Sequence, residues 1–170
     1  MRLTMPAVDM KKTSPAPSAH VPLLLHGVVA LVDDDIEVAR GLATWFELCG
    51  LQTAHYSCSE SLLQGISLTN RLPMLPSGAD PSRRTELVAA VVDLNLPGMS
   101  GFELATALRS RFPELPLVII TALREEERLL YGSAPSSITC LQKPFDLAAL
   151  DEALFPATHS KLFTKRPQQP

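Results

Sequence analysis

From Val28 onward the apolar positions alternate between two periods. Val28-Val29-Ala30-Leu31-Val32 is a short continuous apolar run rich in β-branched residues, the pattern of a strand buried on both faces. The period then switches. Ala39, Leu42, Phe46 and Cys49 recur at three- and four-residue spacing, with Trp45 beside them and Gly50 just beyond, which predicts an amphipathic helix and its C-terminal stop. The alternation repeats in Leu51 to Tyr56 with Leu62, Leu63 and Ile66, and in Leu87 to Val92 with Phe102, Ala105, Leu108 and Phe112. Leu117 to Ile120 with a polar helix from Arg124 to Tyr131 comes next, then Ser137 to Leu141 with Leu147, Leu150 and Leu154. Five βα units with short joints predict an α/β fold, a doubly wound parallel sheet covered by helices on both faces. Such sheets place their chemistry at the carboxyl ends of the strands.

Three stretches fall outside this rhythm. Residues 1–26 contain Pro6, Pro15 and Pro17 without periodicity and are expected to form a flexible arm, and 156–170 a short tail. The domain is expected over 27–155, interrupted by an insertion at 67–86 that holds Pro73, Pro76, Gly78 and Pro81. The insertion reads as a tolerated surface loop, since loop closure depends only slowly on length. Replacing Leu68 to Ser82 by a short linker is therefore expected to leave folding intact.

Composition narrows the class. With 170 residues and 46% apolar content the chain suffices for one domain with a real core. A net charge of −3 and a single short basic cluster (Lys161, Lys165, Arg166) argue against nucleic acid as a direct partner. Val21 to Val32, the longest apolar run, is interrupted by His26 and Gly27 and ends at three aspartates, short of the ~20 residues of a membrane span. No signal-peptide pattern precedes it. Three cysteines (Cys49, Cys58, Cys140) are an odd number in a chain too large to need disulfides, so a cytoplasmic location is expected.

Candidate chemistry collects at strand ends. Asp33-Asp34-Asp35 follows the first strand, where one aspartate serves as a helix cap and the surplus carboxylates repel unless a hard cation such as Mg²⁺ joins them. Asp93 ends Val91-Val92-Asp93, an apolar context in which an unpaired carboxylate is costly, or else opens the turn Leu94-Asn95-Leu96-Pro97-Gly98. Ser100-Gly101-Phe102-Glu103 has the form of a capping box. Taken alone, Thr121 reads as a helix cap and Lys143 as a solvated lysine. Together, at converging strand ends, these groups can hold a cation, attack a phosphoryl group through a carboxylate and neutralise its oxygens. Cys49, His55 and Cys58 match no usual zinc spacing, and His20 and His26 precede the fold.

Leu31-Val32-Asp33-Asp34-Asp35, Val92-Asp93-Leu94-Asn95-Leu96-Pro97-Gly98-Met99-Ser100-Gly101, Ile119-Ile120-Thr121-Ala122 and Lys143-Pro144-Phe145 resemble the ordered signature of two-component receiver domains. The resemblance implies a flavodoxin-like, five-stranded sheet of order 2-1-3-4-5. It implies Asp93 as phosphoryl acceptor and a phosphohistidine on a histidine kinase or phosphotransfer protein as donor. Mg²⁺ would be held by Asp34 directly, by Asp33 mostly through water, by Asp93 and by the Asn95 carbonyl. Thr121 would bond a phosphoryl oxygen, and Lys143, joined to Pro144 by a cis bond, would pair with Asp93. Such a domain is not an enzyme in the ordinary sense. It catalyses only its own phosphorylation and dephosphorylation, and signals to a downstream protein as a monomer or weak dimer.

Departures from the family pattern are few. Cys140 stands where the family usually has an aromatic ring that moves with the threonine, so the face of the fourth helix, fifth strand and last helix is expected to change less on phosphorylation than in receivers that have such a ring. Leu123 is apolar where phosphatase-sensitive members often are polar. Two alternatives are weighed beside this reading. One is a degenerate receiver acting only as an interaction module. The other is a haloacid-dehalogenase-like phosphatase with Asp33 as nucleophile and Asp35 as acid and base, which would want Thr or Val at Glu37 and an acidic motif beyond the lysine.

Overall fold

Strand β1 (Val28–Val32) is buried along its whole length because alternate side chains feed two separate cores. Val28, Ala30 and Val32 pack on one face with Leu62, Phe102 and Leu108. Val29 and Leu31 pack on the other with Leu42, Phe46, Leu150 and Leu154. The computed structural model describes residues 27–77, 80–132 and 138–156. The arm at 1–26 and the tail beyond 156 lie outside the described residues.

The chain runs β1, α1 (Ile36–Leu48), β2 (Gln52–Tyr56), α2 (Ser59–Gly65), β3 (Ser67–Thr69), β4 (Leu72–Ser77), β5 (Asp80–Asp93), α3 (Gly101–Arg111), β6 (Leu117–Thr121), α4 (Glu125–Arg128), a 3-10 turn (Leu129–Tyr131), β7 (Thr139–Gln142) and α5 (Leu147–Leu154). The parallel pairs are β1 with β2 and β5, β5 with β6, and β6 with β7. Across the sheet the parallel strands therefore run β2-β1-β5-β6-β7, the predicted order 2-1-3-4-5 counted over these five strands. Helices α2 and α3 cover one face, and α1 and α5 the other. This is the flavodoxin-like, doubly wound arrangement.

The insertion corrects the expectation of a loop. β3 and β4 form an antiparallel hairpin whose turn residues Asn70 and Arg71 both have positive φ, 51° and 67°. That conformation suits a tight two-residue hairpin, and Arg at its second position concealed it from a search for Asn-Gly turns. β4 in turn pairs antiparallel with the first half of β5, Met74 opposite Glu86 and Pro76 opposite Arg84. Leu75 is fully buried in the core beside Leu62, Ile66 and Leu87. Strand β5 thus extends well before Leu87, the predicted start, and the sheet has seven strands with an antiparallel annex.

The polar helix is also shorter than predicted. Glu125, Glu126 and Glu127 supply one α-helical turn with no apolar stripe to bury, and the next residues tighten into the 3-10 turn. Leu129 and Leu130 are 69% and 87% exposed.

Candidate functional site

The ends of β1, β5, β6 and the loop after β7 meet at one edge of the sheet. Asp33 follows β1 and Asp93 ends β5, and both are almost fully buried. Lys143 Nζ lies between them, donating to Asp93 Oδ1 at 2.7 Å and to Asp33 Oδ2 at 2.9 Å. The remaining oxygens are occupied from the backbone: Asp93 Oδ2 accepts from Asn95 N–H at 2.7 Å, and Asp33 Oδ1 from Asp35 N–H at 2.9 Å. Two buried carboxylates against one ammonium leave an excess negative charge in a poorly solvated site. Burial pushes the Asp33 carboxyl above its ordinary value, although the Lys143 hydrogen bond pulls the other way. For Lys143, burial lowers the pKa, but the bonds to Asp93 and Asp33 outweigh it and raise the ammonium above its ordinary value.

The neighbouring backbone fixes these groups. Lys143 N–H donates to Thr121 O at 2.7 Å, tying the end of β6 to the residue that carries the ammonium, and the Lys143–Pro144 peptide is cis. Thr121 is fully buried, and its Oγ1 accepts from Leu123 N–H at 3.1 Å, a turn bond rather than the helix cap expected of it, since Arg124 holds the N-cap position of α4. Gly101 allows α3 to start against the acceptor loop: a Cβ there would sit 2.3 Å from the Asp93 carbonyl oxygen. The capping box forms, with Ser100 and Glu103 serving each other's N–H groups.

Asp35 is the α1 cap, its Oδ1 accepting from Glu37 and Val38 N–H. With its carboxylate committed to the helix terminus, Asp35 lacks the free acid–base role that the phosphatase alternative requires. Asp34 is exposed beside the buried pair. Among the described residues no three His, Cys, Asp or Glu side chains converge on one point, so neither Asp34 with the two buried aspartates nor Cys49, His55 and Cys58 forms a ready-made metal cage. No described helix is long and apolar enough to cross a membrane.

Four neighbours were invisible in the sequence. His55, at the end of β2, donates from Nε2 to the Asp33 carbonyl at 2.8 Å. Ser59 Oγ donates to Met99 O at 2.8 Å, and Glu60 Oε1 accepts from Met99 N–H at 3.1 Å, so the first two residues of α2 clamp the loop that follows Asp93. Bonds to its own and Met99's backbone hold the Glu60 carboxyl below its ordinary value. Tyr131 Oη donates to Asn95 Oδ1 at 2.6 Å. These contacts join residues 22 to 40 positions apart, and no local pattern signals them.

A family model of the response regulator receiver domain matches residues 79–155. The response regulator RppA of Synechocystis sp. is 42% identical over 66 residues, 39% of this chain and 28% of that protein. The response regulator protein FleR of Pseudomonas aeruginosa is 28% identical over 122 residues, 72% of this chain and 22% of that protein. The chain thus spans about a quarter of the length of these curated relatives. Among solved structures, a sensor protein from Polaromonas sp. superposes with a TM-score of 0.55 at 27% identity, covering 75% of this chain and 92% of that one. A chemotaxis protein of Vibrio cholerae shares the fold with a TM-score of 0.54 at 23% identity, over 76% of this chain and 100% of that one. This chain therefore carries a response regulator receiver domain of the kind found in two-component systems.

Proposed function

We propose that the receiver, over residues 27–155, accepts a phosphoryl group on Asp93 from a phosphohistidine and signals through a protein partner. The observation that carries this reading is the Lys143 ammonium set between Asp93 and Asp33, with buried Thr121 on the adjoining strand. Asp93 combines a nucleophilic oxygen with a cation beside it, and the Ser59–Glu60 clamp restrains the loop behind it.

In the transfer an Asp93 carboxylate oxygen bonds to phosphorus as the phosphorus–nitrogen bond of the donor breaks. The bonding pair returns to the imidazole nitrogen, and neutral imidazole leaves. Lys143 keeps its charge and moves its hydrogen bond from the carboxylate to the phosphoryl oxygens, where negative charge now resides. The Thr121 hydroxyl donates a hydrogen bond to another of those oxygens.

The donor set fits a hard divalent cation: the buried pair carries one uncompensated charge, and carboxylate and carbonyl oxygens are the ligands that Mg²⁺ prefers. Asp33, Asp93 and the Asn95 carbonyl would hold it, with Asp34 joining from the exposed side. Bound Mg²⁺ supplies charge neutralisation between an anionic nucleophile and an anionic phosphate. A histidine kinase or phosphotransfer protein is the donor, and the domain turns over only its own acyl phosphate.

Incubation with acetyl phosphate and Mg²⁺ is expected to add one phosphoryl group by intact mass, and Asp93→Asn none. Equal labelling of the variant would overturn the assignment and redirect it to Asp33 or Asp34.

A further inference from the structure

The segment Glu125–Tyr131 is held to the body of the molecule in an unusual way. None of its residues is buried. Its two leucines face solvent, so apolar packing does not fix its position. Arg128 reaches Cys140 on β7, and Tyr131 Oη donates to the Asn95 side chain. Asn95 is the residue whose backbone N–H bonds Asp93 Oδ2. One short path of two hydrogen bonds therefore connects the acceptor carboxylate to the end of a weakly packed segment: Asp93 Oδ2 to Asn95 N–H, and Asn95 Oδ1 to Tyr131 Oη.

We propose that the Tyr131–Asn95 hydrogen bond is a latch, closed when Asp93 is unmodified and opened by its phosphorylation. The inference rests on Asp93 being the phosphoryl acceptor. Before transfer, the bond from Asn95 N–H goes to an ionised carboxylate and is charge-assisted. Afterwards the carboxyl carbon bears a neutral acyl oxygen and an ester oxygen, and the negative charge has moved to the phosphoryl group. Asn95 loses about half the strength of that tether. Its side chain is then no longer held at the position that 2.6 Å from Tyr131 Oη demands.

Opening the latch frees the 3-10 turn to leave α3. Tyr131 and Gly132 line a groove of about 370 Å³ with Phe102, Glu103, Thr106 and Ala107, so their departure unroofs that side of α3. The route bypasses Cys140, where no ring is present to carry a signal. It places the conformational response in the fourth helix and its 3-10 turn, with β7 and α5 remaining in place.

The test compares full-length parent, Tyr131→Phe and Asn95→Ala by hydrogen exchange of peptides covering Glu125–Gly132, with and without acetyl phosphate and Mg²⁺. Intact mass is recorded on the same samples. Tyr131→Phe removes a single exposed hydroxyl and preserves the fold. The unphosphorylated variants are expected to exchange in this segment about fivefold faster than the unphosphorylated parent, the loss of one net hydrogen bond. Phosphorylation should accelerate the parent by a similar factor and the variants little further. Parent that gains one phosphoryl group with no change in Glu125–Gly132, or variants that exchange like the parent, would overturn the latch while leaving the acceptor assignment intact. Parent that gains no phosphoryl group would overturn the acceptor assignment itself.

Discussion

Lys143 is the residue on which the site balances, because its one charge faces two buried carboxylates. Replacing it by methionine keeps the stem and removes the charge, leaving Asp33 and Asp93 unpaired and opposed. A loss of about 3 kcal/mol near neutral pH is expected, the usual cost of stranding a buried ion. The sign of the pH dependence follows from the directions of the shifts. The native Asp33 carboxyl lies above its ordinary 3.8, so its ionisation costs stability as pH rises from there through the folded value. Lys143 lies above its ordinary 10.5, so its contribution is complete below that pH and disappears as pH climbs through the folded value. Without the ammonium, the Asp33 carboxyl rises further. Urea denaturation of Lys143→Met should therefore show a smaller deficit at about pH 5 than at about pH 7. An equal deficit at both would mean that the stem's packing, rather than its charge, is what matters.

At the scale of elements, the β3–β4 annex behaves as part of the core in one residue and as surface in others. Leu75 is fully buried, whereas Leu68 and Leu72 are 57% and 44% exposed. Leu75→Ala is expected to cost about 3 kcal/mol, and Leu68→Ala less than about 0.5 kcal/mol, read from denaturant midpoints. Comparable losses at the two positions would show that the hairpin packs as a unit. For the same reason, exchanging Leu68 to Ser82 for a flexible linker removes a core side chain and a ladder with β5, and folding is not expected to survive it unharmed. The insertion escaped the sequence reading because prolines at 73, 76 and 81 argue against a strand and its apolar residues show no clean alternation. The ladder with β5 overrides that local preference, since β4 gains its partners from Thr85 and Glu86 rather than from itself.

At the scale of the whole molecule, the response to phosphorylation is expected to be uneven. Thr121 is fully buried, and Cys140, on the strand beside it, offers no ring for a moving threonine to pull inward. A ligand shifts an equilibrium only through contacts that differ between two states, and the residues that hydrogen-bond the Asp93 carboxylate, Asn95 and Lys143, lie outside β7 and α5. Backbone amide shifts with beryllofluoride and Mg²⁺ should therefore change most at Asp33–Asp35, Leu94–Gly101 and Thr121–Tyr131. Large changes across Thr139–Gln142 and Leu147–Leu154 would show that the signal crosses the sheet by another path.

The five parallel strands, the burial of β1 and the meeting of Asp33, Asp93, Thr121 and Lys143 could be derived from the pattern of the chain itself, and the order of the strands followed from its resemblance to receiver domains. Their signals are local: a period of apolar residues fixes each strand or helix, and a βα alternation admits few topologies, whose strand ends converge. The clamp of Ser59 and Glu60 on Met99, the His55 contact with Asp33 and the Tyr131–Asn95 bond were decided only in three dimensions. So were the division of labour among the three aspartates and the strand pairing of the insertion. Neighbouring carboxylates are chemically identical in a sequence. Burial and backbone direction assign one to the ammonium, one to the helix cap and one to solvent. Side-chain contacts between residues far apart in the chain leave no periodic trace, because each depends on where the finished sheet sets two loops side by side.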